Sequence, residues 1–495
     1  MTLKKTLPSI RFTICLFIFC NISINCSSQQ KKLQNKHDGD TGKMFILGVN
    51  SESKEERLEI AKKILASELM KEKGEDGIIK IFEAIKSTMG ELQYHSNEFT
   101  GGTEEFPRRI MHLYAKDNNQ KWKDIQLIMS TSEPDRILQL AFIADVTEPV
   151  YLPNGSIEQK ITLDWLNNYI DNLNKNDGFY GSIMIAKGSN ILLEKYAGYS
   201  NPEKNIPFSS QSMFNMASGS KMFTAISIAK LVSIGKIDYT DKIEKYFPDF
   251  KDKDKLSKVT IRHLLNHTSG IGEYWTEQNR EIISSFSDAS QYLRLIYNEG
   301  FSFEPGTECG YSNSNYMLLG LIIEKESGES FYDYVLKNIL KPAGMENTAF
   351  LYRDPDNNDI TQPLVKNGDN WNVINGNRNS RGTSAGGCYT TLNDMVNFSN
   401  AIKNNVLLTS ETFMELIKDQ TTGIKDAFGY GYGFELYRYG KNGMAYGHGG
   451  ITRGVNFEYR YFPEFDITLV ICCNQDNGAF DDLKKNSVKL ITGDR

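Results

Sequence analysis

Apolar positions along the chain change their period from one region to the next. Residues 55–70 and 77–89 carry them at helical spacing, whereas 108–116, 123–130 and 136–146 read as three strand-like runs with turn signals such as Asn118-Asn119 between them. Two helices followed by a meander predict a small α+β domain over residues 45–150. Pro149, Pro153, Asn154 and Gly155 then mark a linker.

From residue 158 onward the pattern predicts a second, larger α+β domain. Residues 181–188 and 190–197 form two strand-like runs around a Gly-Ser-Asn turn, and 455–462 and 467–473 form a second hairpin around Pro463 to Asp466. Helical segments and loops fill the chain between the two hairpins. One of those helices follows Ser218, where Met222, Phe223, Ile226, Ala229 and Ile234 fall near helical spacing and predict one packed face.

Residues 1–26 read differently from both domains. Lys4 and Lys5 precede a short apolar core from Phe12 to Cys20, far below the roughly 20 residues that span a bilayer. This is the pattern of an export signal. Cys26, followed by Ser-Ser-Gln-Gln-Lys-Lys, resembles the lipidated cysteine of a bacterial lipoprotein, although Ser23-Ile24-Asn25 departs from the usual small residue before it. Membrane anchoring through Cys26 and plain secretion are the two outcomes, and residues 27–44 would form a flexible tether in either case.

Composition excludes several classes. Of 495 residues, 24% are charged and 40% apolar, as expected of an ordinary folded protein. A net charge of -6 gives no electrostatic footprint for nucleic acid. Cys309, Cys388, Cys472 and Cys473 are too sparse to staple a chain of this length, and the last two, adjacent in a strand, face opposite ways. In the first domain, His95 and His112 have no carboxylate or thiol at ligand spacing, which predicts a packing or substrate-positioning module there.

The candidate chemistry begins at Phe214-Asn-Met-Ala-Ser218-Gly-Ser-Lys221. A serine and a lysine three residues apart share a helix face, so the amine can lie beside the hydroxyl. A serine hydroxyl is a poor nucleophile until a base takes its proton, and burial can lower a lysine pKa far enough to serve. The same spacing recurs at Ser28, Ser51, Ser227 and Ser233; Ser218 differs in standing at a turn that opens an apolar helix. Tyr311-Ser312-Asn313 and His448-Gly449-Gly450 follow downstream.

Ser-x-x-Lys, Tyr-x-Asn and a cation-Gly-Gly element, in that order, resemble the penicillin-recognising serine hydrolases, the group of class C β-lactamases, D-alanyl-D-alanine carboxypeptidases and related esterases. Residues 260–270 and 384–394 match as well, so the resemblance covers roughly the last two-thirds of the chain. It implies a β-lactamase/transpeptidase-like α+β fold, with an antiparallel five-stranded sheet flanked by helices, and an exported serine hydrolase that needs neither cofactor nor metal. Ser218 would be the nucleophile. Lys221 and Tyr311 would share the proton work, with the phenolate of Tyr311 or the amine of Lys221 as base. Asn313 would hold Lys221 and a substrate amide.

In the same resemblance, His448 replaces the lysine that faces a substrate carboxylate in many β-lactamases, and Arg453 is the alternative cation. Gly449 and Gly450 would let substrate lie against the strand edge, and the N–H groups of Ser218 and Ile451 would form the oxyanion hole. The expected substrates are D-amino-acid peptides or small esters. A dedicated class C-like β-lactamase and a non-catalytic sensor of peptidoglycan or β-lactam are the alternatives. His263 and His267, spaced i,i+4, are read as structural rather than as zinc ligands.

Overall fold

The computed structural model describes residues 38–101, 109–146 and 152–493, apart from 154, 284, 287, 355, 368–369, 375–380, 426–428, 441–442 and 476–477. The export-signal and Cys26 readings lie outside the described residues. The chain divides into two compact units at residues 151 and 152.

Among the described residues, the first unit holds three helices, α1 (Asp38–Asn50), α2 (Lys54–Ile64) and α3 (Ser67–Met89), then four strands, β1 (Gln93–Gly101), β2 (Arg109–Lys116), β3 (Trp122–Met129) and β4 (Ile137–Val146). The strands form an antiparallel meander in chain order. This is one helix and one strand more than the apolar pattern predicts. Helix α1 takes in residues 38–44 of the stretch read as a tether. Strand β1 was hidden because Gln-Tyr-His-Ser-Asn-Glu-Phe-Thr-Gly is largely polar; pairing with β2, not burial, gives it its place.

Alternation sorts this sheet into two faces. Met111, Leu113, Ala115, Ile125 and Leu127 pack with Phe45, Ile60, Ile78 and Phe82 of the helices. On the other face, His112 Nδ1 lies 2.9 Å from Asp124 Oδ2, which also accepts from Gln126 Nε2 at 2.9 Å. The reading that His112 lacks a carboxylate is therefore corrected. Asp124 is twelve positions away in sequence but faces His112 across neighbouring strands, a proximity that linear spacing does not reveal.

The second unit begins with α4 (Lys160–Asn172), β5 (Gly181–Lys187) and β6 (Asn190–Ala197). Helices α5 (Lys221–Ser233), α6 (Asn313–Ser327) and α7 (Leu392–Lys403) follow, and then strands β7 (Glu435–Tyr439), β8 (Gly443–Thr452), β9 (Val455–Phe462) and β10 (Ile467–Cys473). Helix α8 (Gly478–Thr492) comes last. One sheet runs β7-β8-β9-β10-β5-β6, antiparallel throughout. It has six strands where five were expected; the addition is β7, a short edge strand with no fully buried position.

Strands β5 and β10 are apolar almost throughout because both of their faces are covered. Ile183, Ile185, Leu469, Ile471 and Cys473 pack with Leu166, Ile170, Leu483 and Leu490 of α4 and α8. Met184, Ala186, Val470 and Cys472 face the opposite layer, with Phe223, Leu318 and Phe398 of α5, α6 and α7. Each of the Ile, Leu, Val, Met and Phe side chains among these stabilises the layer by about 1.5–3 kcal/mol. Cys472 and Cys473 thus stand in different cores.

Strand β8 holds the turn before α5 against the sheet. A Cβ on Gly450 would stand 2.0 Å from Met216 O and 3.0 Å from Ser218 N, whereas one on Gly449 would meet nothing closer than 3.4 Å. Gly450→Ala should therefore lower stability by about 1–3 kcal/mol, as overpacking against backbone does, while Gly449→Ala should cost much less. Chemical denaturation of the two variants checks this, and equal losses would contradict the asymmetry.

Candidate active site

The turn that carries Ser218 is shaped before any side-chain chemistry is considered. Phe214-Asn215 pairs with Tyr389-Thr390, and Met216 N–H donates to Cys388 O at 2.8 Å. Ala217 then takes φ +43°, a conformation disfavoured for a residue with a Cβ. Its N–H donates to Asn215 Oδ1 at 2.8 Å, and its carbonyl accepts from Gly387 N–H at 2.9 Å and Ser220 Oγ at 2.9 Å. Residues 217–220 form a single 3-10 turn that runs directly into α5.

This turn leaves Ser218 half-buried and puts Lys221 in the core with 0% exposure. Lys221 Nζ lies 3.1 Å from Ser218 Oγ, 2.7 Å from Asn313 Oδ1 and 2.5 Å from Ala385 O. Burial pushes its pKa down to about 7, against the opposing pull of the Glu273 and Glu435 carboxylates. The last two partners can only accept hydrogen bonds. They therefore engage two N–H groups of a neutral amine and leave its lone pair facing Ser218. A neutral amine so placed can take the serine proton.

Asn313 presents oxygen to Lys221 because Glu273 occupies its other end. Glu273 Oε2 accepts from Asn313 Nδ2 at 3.1 Å and from Asn313 N–H at 2.6 Å, at the N-terminus of α6. Residues 267–274 are tied to the same helix end: Ser269 Oγ donates to Asn315 Oδ1 at 2.6 Å and Tyr274 N–H to Ser314 Oγ at 3.1 Å.

Tyr311 stands just before α6, 39% exposed, with Lys221 Nζ 4.9 Å from its ring centre. Burial of its hydroxyl raises its pKa well above the ordinary tyrosine value; a hydrogen bond to Ser218 opposes this, and the Glu435 and Glu273 charges add to the rise. Of the two bases the sequence leaves open, a Tyr311 phenolate is disfavoured, chiefly by desolvation and by the two carboxylates. Tyr311 keeps its proton and can act as a donor.

His448 lies within β8, and it is 1% exposed. Its Nδ1 is 2.5 Å from Gly449 O and its Nε2 2.9 Å from the Tyr430 hydroxyl. Burial lowers its pKa, so it is a neutral ring rather than a cation. The missing side chain of Gly450 makes room for the chain's own residues 216–218. Gly449 N–H donates to Glu435 Oε2 at 3.0 Å, which shows that this side of β8 faces β7. Alternation turns Ile451 N–H to the same side, beyond the last β7 pairing at Gly447. The edge at Ile451 thus runs beside the Ser218 turn.

The structure brings all eight expected residues together. It adds Glu273, Ala385, Tyr430 and Glu435, and also His267, whose ring centre is 4.3 Å from that of Tyr311 and whose Nδ1 accepts from Ser312 N–H at 3.1 Å. Ala385 and His267 fall in matched segments and were within reach of the sequence. Glu435 was not, because its contact depends on strand pairing. His263 instead caps a short helix with Thr260. Arg453 is exposed in the turn between β8 and β9.

Comparison with known proteins bears on the larger unit. Residues 166–493 match the profile of the Beta-lactamase family. Penicillin-binding protein 4* of Bacillus subtilis is 37% identical over 192 residues, 38% of this chain and 42% of that one. Protein flp of Staphylococcus aureus is 34% identical over 171 residues, 34% of each chain. The chain thus spans less than half the length of these curated relatives. A penicillin-binding protein from Bacillus halodurans superposes with a TM-score of 0.58 at 28% identity, covering 65% of this chain and 98% of that one. A D-amino acid amidase from Ochrobactrum anthropi SV3 superposes at 0.56 and 24% identity, covering 66% and 98%, a likeness of fold. On the match of its second unit, the chain belongs to the beta-lactamase family of serine hydrolases.

Proposed function

We propose that this protein hydrolyses an amide or ester through an acyl-Ser218 intermediate, with Lys221 as the base. The observation that carries the reading is the fully buried amine 3.1 Å from Ser218 Oγ, with a pKa near 7. In its neutral form Lys221 takes the hydroxyl proton as Ser218 Oγ attacks the carbonyl carbon. The resulting oxyanion accepts from the N–H groups of Ser218 and Ile451. Collapse breaks the bond to the leaving group, which takes its proton from Tyr311, itself reprotonated from Lys221. Water then repeats the attack and releases the acid.

D-Amino-acid peptides or small esters are the substrates this reading favours, in keeping with the relatives named above. The export reading of residues 1–26 places the activity outside the cytoplasm, and the first unit then acts as an accessory module.

A fluorophosphonate should label Ser218 alone, and Ser218→Ala should abolish the label in peptide mapping. The labelling rate should rise with pH through about 7, because only the neutral amine accepts a proton. Lys221→Met should slow it about 10²–10⁴-fold. Tyr311→Phe should slow turnover while keeping that midpoint; loss of the midpoint would assign the titration to the tyrosine.

Stability should report the same amine. Its folded pKa lies below its unfolded one, so between about pH 7 and 10.5 the unfolded chain binds more protons and stability rises with pH. Lys221→Met removes this dependence. Its stability relative to the parent should be greatest at pH 6 and fall by on the order of 2 kcal/mol or more by pH 9.5. Denaturant titration at the two pH values measures the difference, and a constant difference would mean that Lys221 is not desolvated.

A further inference from the structure

His448 cannot anchor a substrate carboxylate in the way the Lys-Gly-Gly pattern suggests. Its two ring nitrogens are taken by Gly449 O and the Tyr430 hydroxyl, and the ring is buried. The next group along the edge, Gly449 N–H, is taken by Glu435 Oε2 at 3.0 Å.

Glu435 is the first residue of β7 and lies opposite Gly447, where the pairing of β7 with β8 ends. Its carboxylate therefore stands at the start of the edge that runs on to Ile451. The side chain remains 30% exposed, with Oε1 3.7 Å from His448 Nδ1. Burial pushes its pKa up, and hydrogen bonds from the Tyr437 hydroxyl and Gly449 N–H, with the charge of Arg460, pull the other way. Its charge is felt at both Lys221 and Tyr311.

We propose that Glu435 makes the β8 edge of the site anionic, so that the protein selects substrates presenting a neutral amide, ester or cation there and rejects a free carboxylate. The inference rests on the hydrolase reading and narrows it: the preferred substrates are amides, esters or internally cleaved peptides rather than peptides cut at a free C-terminus. Like charges brought together on binding are strongly disfavoured, and a misplaced anion is an effective means of excluding a ligand.

The test uses N-acetyl-D-alanyl-D-alanine and its C-terminal carboxamide as a matched pair. Equilibrium binding of each is measured calorimetrically at pH 7 to Ser218→Ala and to Ser218→Ala/Glu435→Gln. Glutamine keeps an oxygen for Gly449 N–H and removes only the charge. The carboxamide should bind the first protein about tenfold more tightly than the carboxylate, and the double variant should lose most of that preference. Equal binding to the first protein, a preference unaffected by Glu435→Gln, or no binding of either ligand would each overturn the proposal. A preference altered by Arg453→Ala but not by Glu435→Gln would also overturn it and assign the selection to the arginine. No step here needs turnover, so failure of the acyl-enzyme reading appears separately, as absence of Ser218 labelling.

Discussion

A lysine amine with no exposure to water is the constraint on which the rest of the site depends. Desolvation alone would drive Lys221 to shed its proton well below neutrality, and a bare ammonium there would be strongly destabilising. Two carboxylates, Glu273 and Glu435, pull the other way and leave the amine near pH 7. That balance suits proton transfer, since a base is most effective when its pKa lies near the working pH. It also requires hydrogen-bond partners that do not fluctuate, and the structure provides them through Asn313 Oδ1 and Ala385 O.

Those partners come from segments 92 and 164 residues away along the chain. The amine is therefore housed only once α5, α6 and the segment around Ala385 have closed on the sheet. Glycines permit the close approaches this demands. Gly450 brings β8 against Met216 and Ser218, and a Cβ on Gly386 would stand 2.9 Å from Ala217 O. The positive φ of Ala217 persists because hydrogen bonds hold the turn on both sides. Packing thus sustains a local strain that an isolated peptide would release.

The same carboxylates shape what the site can bind. A neutral His448 and an ionised Glu435 give the β8 edge a sign opposite to that of an edge carrying lysine. Tyr311 holds its proton for the same reason that Lys221 can give one up: burial penalises the charged form of each, and the anions nearby add to the effect on the phenol and oppose it on the amine. One electrostatic environment sets the roles of both groups.

By itself the sequence determined the family, the two hairpins of the larger unit and the order of the reacting groups. These are written locally: β9 and β10 begin and end where their apolar runs do, and Ser218 and Lys221 are neighbours on any helix that starts there. The tertiary structure decided what depends on residues distant in the chain. Strand β1 is too polar to announce itself and exists by pairing; Asp124 meets His112 across two strands; β7 adds a sixth strand at an edge. It decided the charge states too, because a pKa is set by burial and by neighbours in space. Hence the tyrosine, one of the two candidate bases, keeps its proton, and the histidine expected to face a carboxylate is buried beside one of the protein's own.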